Sequence, residues 1–238
     1  MMIDSHRMGP LELCICGFKQ MRFLLMDKEA IIAYILLLGV YDFAAAIYTT
    51  DNPDTALLTT ISWASNLGIL FSSLIIIVLS RKLNKSPSIA EIGFPKSLQI
   101  LIKTSIVNLF SGILIVLGFI FFVIPGIILS LRFIYIIPAS VLERLDASSI
   151  LHRSSELSKV NRYSFIGALI FASLVYFFVL FMSILTIIVI ANETALQSLW
   201  FNYFSNLVGT IFATWIAAIG FSAYTNAQAL YNASNLET

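Results

Sequence analysis

Charge is what this chain has least of. Only 11% of its 238 residues are Asp, Glu, Lys or Arg, whereas 59% are hydrophobic and the mean hydropathy reaches +0.93. A soluble globule of this size needs more polar surface than that to face water, which leaves lipid as the solvent. The net charge of +1 gives no reason to expect nucleic acid, because a duplex-binding protein needs basic side chains gathered on one exposed face. Cysteine is nearly absent too. Cys14 and Cys16, with one residue between them, match neither the usual zinc spacing nor a redox C-x-x-C pair, and they read as bystanders. Histidine occurs twice, at His6 and His152, outside every long apolar run and in no metal-ligand spacing. The chain also lacks a P-loop and a G-x-S-x-G turn. It therefore reads as a non-enzyme with no catalytic residue, no metal site and no cofactor.

The informative property is where the few charges stand. Thirteen of the 14 Lys and Arg residues lie within 1–29, 81–103 and 144–162, and the outlier, Arg132, sits inside an apolar run. Basic loops stay on the cytoplasmic side of a membrane, so alternate loops are expected to lack Lys and Arg, and residues 49–55, the Pro125 turn and residues 191–202 contain none. A helix needs about 20 apolar residues to cross roughly 30 Å of hydrocarbon. That rule predicts an all-α, six-helix transmembrane bundle with spans at 30–48, 56–80, 104–124, 126–142, 163–190 and 203–231. An even number of spans places both termini on the cytoplasmic side. The expected organisation is a cytoplasmic segment at 1–29, a transmembrane domain at 30–231 and a cytoplasmic tail at 232–238. Residues 1–29 show no cleavable signal peptide, Met21 or Met26 is an alternative start, and ordered structure is expected only beyond them.

Local breakers refine this picture. Asn52-Pro53 suits a short outer loop, and Pro125-Gly126 is expected to stop the third span and reverse the chain into a tight hairpin. Pro138 cannot donate to the carbonyl of Ile134 and predicts a kink. Pro87 and Pro95 argue for irregular structure over 81–96. After Glu143 a short helix is expected, capped by Asp146, with Ile150, Leu151, Leu157 and Val160 on one half of its circumference and Arg153 among them. Amphipathicity leaves two placements open for it. One is along the headgroups with Arg153 reaching anionic phosphate, the other is packed on the bundle.

Two ionisable residues lie well inside the spans. Asp42 and Arg132 each stand six residues, about 9 Å, from the outer end of their helix, which predicts an ion pair facing the bundle interior. The alternative is that Arg132 snorkels to the outer headgroups and Asp42 is protonated or faces water. Asn66, Asn108 and Asn206 either line a polar path or hydrogen-bond neighbouring helices. Gly209, Ala213 and Ala217 recur every four residues and form a smooth strip for close helix packing, within the monomer or in a homodimer. Trp200, Phe201, Tyr203 and Phe204 read as an outer aromatic belt. Asn192-Glu193-Thr194 is a glycosylation sequon, of consequence only in a eukaryotic secretory pathway.

Residues 118–161 carry Ile124-Pro125-Gly126, then Arg132, Pro138 and Glu143, then Leu151, Arg153, Ser154, Leu157 and Lys159. This run resembles the membrane-domain family found with some glycerophosphodiester phosphodiesterases and in YciC-like bacterial inner-membrane proteins, with Val160 where that family usually has glycine. The resemblance implies a structural motif of turn, buried arginine, kink and inner-face helix in a bacterial inner membrane. It carries over no catalysis, since no phosphodiesterase domain is present. The function expected is binding of membrane lipid or of a membrane-protein partner. The alternative is a small transporter or channel with a polar interior around Asp42 and Arg132.

Overall fold

Lipid offers no partner for free backbone groups, so a chain this apolar must bond its amides internally, and helix is the local solution. The computed structural model describes residues 7–25, 75–78, 94–121, 123–143, 146–191 and 199–236. Among these there is no strand. Among the described residues run the helices α1 (Pro10–Leu25), α2 (Phe94–Phe121), α3 (Val123–Arg132), α4 (Ile136–Leu142), α5 (Ala147–Ala191) and α6 (Leu199–Leu236), and residues 75–78 are helical as well. The stretches Ile102–Phe121, Val123–Leu142 and Ser148–Ser183 are long and apolar enough to cross a bilayer, which makes this a membrane protein. The first expected span, most of the second, residues 49–55 and the 192–194 sequon lie outside the described residues. So do Asp42 and Asn66.

Helices α2 and α3 form the expected hairpin, but its breaker residues act differently from expectation. Pro95 and Lys96 belong to the first turn of α2, where a proline's missing N–H costs nothing. The reversal precedes Pro125 and Gly126, which fall in the first turn of α3. Gly126 serves close packing: a Cβ there would lie 2.5 Å from Cγ of Phe119, and one at Gly118 would lie 3.0 Å from the backbone of Gly126. Small residues let two helix backbones approach where no hydrophobic drive operates between them. Bulky groups on the outer face, including Phe110, Ile113, Ile120 and Phe121, are exposed. Lipid tails are as apolar as these side chains, so that face carries no penalty in a membrane.

The expected kink at Pro138 is instead a full interruption. Helix α3 ends at Arg132, residues 133–135 turn, and Pro138 sits in the first turn of α4. Ser154 of α5 mends the broken backbone: its Oγ accepts the Tyr135 N–H at 3.2 Å and donates to the Arg132 carbonyl at 3.0 Å. Ser140 Oγ meets Thr104 Oγ1 at 2.9 Å and ties α4 to α2.

Helix α5 begins where Asp146 accepts the Ile150 N–H through its carbonyl at 3.0 Å and the Ser148 hydroxyl through Oδ2 at 2.8 Å. Its backbone leaves helical geometry once, at Asn161 (φ −136°, ψ 16°), between the short helix and the span that the sequence separates. Ile150, Ser154, Leu157, Asn161, Phe165, Ala168 and Ala172 are all buried, one stripe at three- and four-residue steps that runs through the kink. Of the two placements open for residues 147–160, the structure therefore has the packed one. Opposite this stripe, α6 presents Ile219, Ala223, Tyr224 and Ala227, all fully buried, while its Ala218 and Phe221 are buried against Ile75, Ile76 and Val141.

Ordered structure begins before Met21, which corrects the expectation that it starts only beyond the early methionines. Helix α1 packs on α5 and α6 with Leu13, Cys14, Gly17 and Gln20 buried. A Cβ on Gly17 would come within 2.7 Å of Cγ1 of Ile219 and 3.0 Å of its backbone nitrogen, so only glycine permits this approach. Trp215 Nε1 donates to the Cys14 carbonyl at 3.1 Å, and the Cys14 thiol points to the Ala168 carbonyl at 3.4 Å. Burial raises the pKa of that thiol.

Candidate functional site

Polar groups gather where α4, α5 and α6 meet, at the end of the hairpin away from its turn. Glu143 closes α4, its N–H donating to the Ala139 carbonyl at 2.9 Å, and its carboxylate is directed toward α5 and α6. Arg153 Nε donates to Glu143 Oε1 at 3.1 Å, with the two side chains 19% and 17% exposed. The Tyr224 hydroxyl donates to the same oxygen in a short hydrogen bond. Tyr231, two turns further along α6, lies under the guanidinium, whose Cζ is 4.7 Å from the ring centroid. The Tyr231 hydroxyl in turn reaches Glu156 Oε2 at 3.4 Å. One carboxylate thus holds a guanidinium and a phenol, and an aromatic face covers the cation. Arg153 is paired inside the bundle and does not reach outward to lipid phosphate.

Tyr135 sits above this cluster on the interrupted segment, fully buried, stacked on Phe165 at 5.4 Å and edge-on to Tyr224 at 6.0 Å. Its hydroxyl has no hydrogen-bond partner among the described residues. A second node lies one turn away: Asn226 Oδ1 accepts Asn161 Nδ2 at 3.0 Å and the Met8 N–H at 3.3 Å, joining α6, the α5 kink and the residues before α1. Among the described residues no group of three or more His, Cys, Asp or Glu comes together to hold a metal ion.

The sequence-predicted residues divide between these features. Glu143, Arg153 and Ser154 converge on the interruption and the ion pair, Leu157 is buried beneath them and Leu151 packs against the same core. Pro138 is buried in α4, whereas Pro125 and Lys159 are exposed. Arg132 contributes its carbonyl, but its side chain is exposed rather than turned into the bundle, and its expected partner Asp42 is outside the described residues. Gly209 faces the Tyr176 hydroxyl of α5, 3.5 Å from where a Cβ would be, and Ala217 is buried against Ile75, Ile76, Val141 and Phe221. Ala213 lies half-buried between them. The belt residues 200–204 are helical in α6.

Sequence reasoning missed Tyr135, Tyr224, Tyr231, Asn161 and Asn226. The seven-residue spacing of Tyr224 and Tyr231 puts both on one face of α6, and Asn161 and Asn226 stand among other polar residues, beside Arg162 and Thr225 respectively. Those signals were present, yet nothing in one dimension aims them at Glu143 or at each other. No family model, curated protein or solved structure matches the chain, so its assignment rests on the residues themselves.

Proposed function

We propose that this is a non-enzymatic, multi-pass protein of a bacterial inner membrane that acts by binding membrane lipid or a partner membrane protein. In this reading six spans cross the bilayer, both termini and the basic loops are cytoplasmic, and the chain is a relative of the YciC-like family that residues 118–161 resemble. The observation that carries it is the division of side chains. Large apolar groups such as Ile113, Phe177, Phe178 and Phe181 cover the outer faces of α2 and α5, while the charged groups of the inner cluster are paired with one another. A surface of that kind engages acyl chains and apolar helices rather than a polar substrate. Gentle purification followed by mass spectrometry of what stays attached tests it. Retained phospholipid or a retained membrane protein is the expected result, and a chain recovered bare that drives solute flux in vesicles overturns the reading. Reporter fusions within 49–55 and 191–202 test the orientation, and periplasmic activity is expected from both.

A second reading, a small transporter or channel, draws on a specific observation. The interruption between α3 and α4 lies within an apolar stretch, and broken helices with exposed backbone groups recur at transport sites. Here Ser154 occupies both backbone groups, which weighs toward a structural role. Flux into reconstituted vesicles that Asp42→Asn abolishes would support transport.

A further inference from the structure

Helix α1 has two faces, and the described residues cover only one of them. Leu13, Cys14, Gly17 and Gln20 are buried on α5 and α6, whereas Leu11, Ile15 and Phe18 form an outward apolar stripe at 57%, 48% and 67% exposure. Steps of four and three residues place these three on one side of the helix. Arg7, Lys19 and Arg22 are also exposed, one before the helix and two within its last two turns. The acid of its first turn, Glu12, is engaged with the Gly9 N–H at 2.8 Å.

The level of α1 follows from its contacts. Met8 meets Asn226, beside the inner polar cluster, and Gly17 sits on Ile219, which precedes Tyr224 of that cluster by five residues of α6, about 8 Å of helix. Amphipathic interfacial helices rest about 5–10 Å into the boundary between headgroups and acyl chains, with basic side chains reaching the phosphates. We propose that α1 lies in the inner leaflet, with Leu11, Ile15 and Phe18 among acyl chains and with Arg7, Lys19 and Arg22 at the phosphates of anionic phospholipid. Charge complementarity selects that lipid, and each such contact is screened by salt. The inference rests on the reading that the chain sits in a bilayer, and it assigns lipid contact to a segment that crosses no membrane.

The test uses the full chain carrying Cys16→Ala, since Cys14 is buried, with one environment-sensitive fluorophore on Phe18→Cys or on Phe178→Cys of α5. Each is reconstituted in vesicles of phosphatidylcholine with brominated acyl chains and phosphatidylglycerol. The expected result is strong quenching by bromine at both positions and protection of both from aqueous iodide. Quenching at 178 but iodide access at 18 overturns the proposal while the membrane reading stands, and loss of quenching at both sinks the membrane reading too. Protection at 18 from both quenchers means that a second copy, or another part of this chain, covers the stripe, and it also overturns the proposal. Should Phe18→Cys fail to fold, Ile15→Cys on the same stripe is read in the same way. For the headgroup half, Lys19→Gln with Arg22→Gln is expected to reduce severalfold the phosphatidylglycerol retained over phosphatidylcholine after detergent extraction. Unchanged retention overturns that half.

Discussion

The Glu143–Arg153 pair gives the sharpest quantitative expectation. At 3.1 Å and an effective dielectric constant near 20, Coulomb's law assigns the two charges about 5 kcal/mol of attraction. Both side chains keep nearly a fifth of their surface exposed, so screening lowers this, and a coupling of about 2–3 kcal/mol remains. Glu143→Gln preserves the shape of the residue and an acceptor for Tyr224, but it leaves Arg153 charged and largely buried. Arg153→Met preserves the apolar stem and leaves Glu143 uncompensated while removing the cation from the Tyr231 ring. Each single change is expected to cost about 3 kcal/mol, and the double change scarcely more than either, because it removes both charges together. Equilibrium unfolding of the purified protein in mixed micelles, with the four members of the cycle under identical conditions, measures this coupling. Additivity within about 0.5 kcal/mol would refute the reasoning, because independent sites behave that way.

Other expectations follow from local geometry. Gly126→Ala forces a methyl group to within 2.5 Å of the Phe119 ring and is expected to destabilise by about 1–3 kcal/mol. Gly112→Ala, with open space around it, is expected to be neutral or stabilising by about 0.5–1 kcal/mol, and thermal melts in detergent compare the two. Ser154→Ala strips the Tyr135 N–H and the Arg132 carbonyl of their partner and is expected to cost about 1–3 kcal/mol, visible as faster backbone hydrogen exchange at 133–136. The Asp146 carboxyl is held below its ordinary pKa by the Ser149 and Ser148 hydroxyls. A depressed folded-state pKa contributes stability that is present above the unfolded value of about 3.9 and is lost as the pH falls through the folded value. The melting difference between the parent protein and Asp146→Ala is therefore expected to narrow in that acid range, and a constant difference would count against a stabilising role for those hydroxyl contacts.

Composition alone determined that this chain belongs in lipid, because 11% charge cannot clothe a globule of 238 residues in water. The apolar runs likewise placed the hairpin, to within a few residues of its turn, and the division near residue 161, since both are local preferences of a single stretch of chain. The sequence also put Glu143, Arg153 and Ser154 in one short motif. Only the tertiary structure decided that Arg153 turns inward to Glu143 and Tyr224, that Ser154 repairs a broken helix, and that α1 is part of the bundle. Gly17 on Ile219 and Asn161 on Asn226 join residues 202 and 65 positions apart, a difference of numbers no local window contains. An amphipathic helix specifies that one face must be covered, whereas what covers it depends on which neighbour's small residues and unpaired polar groups arrive there when the helices pack.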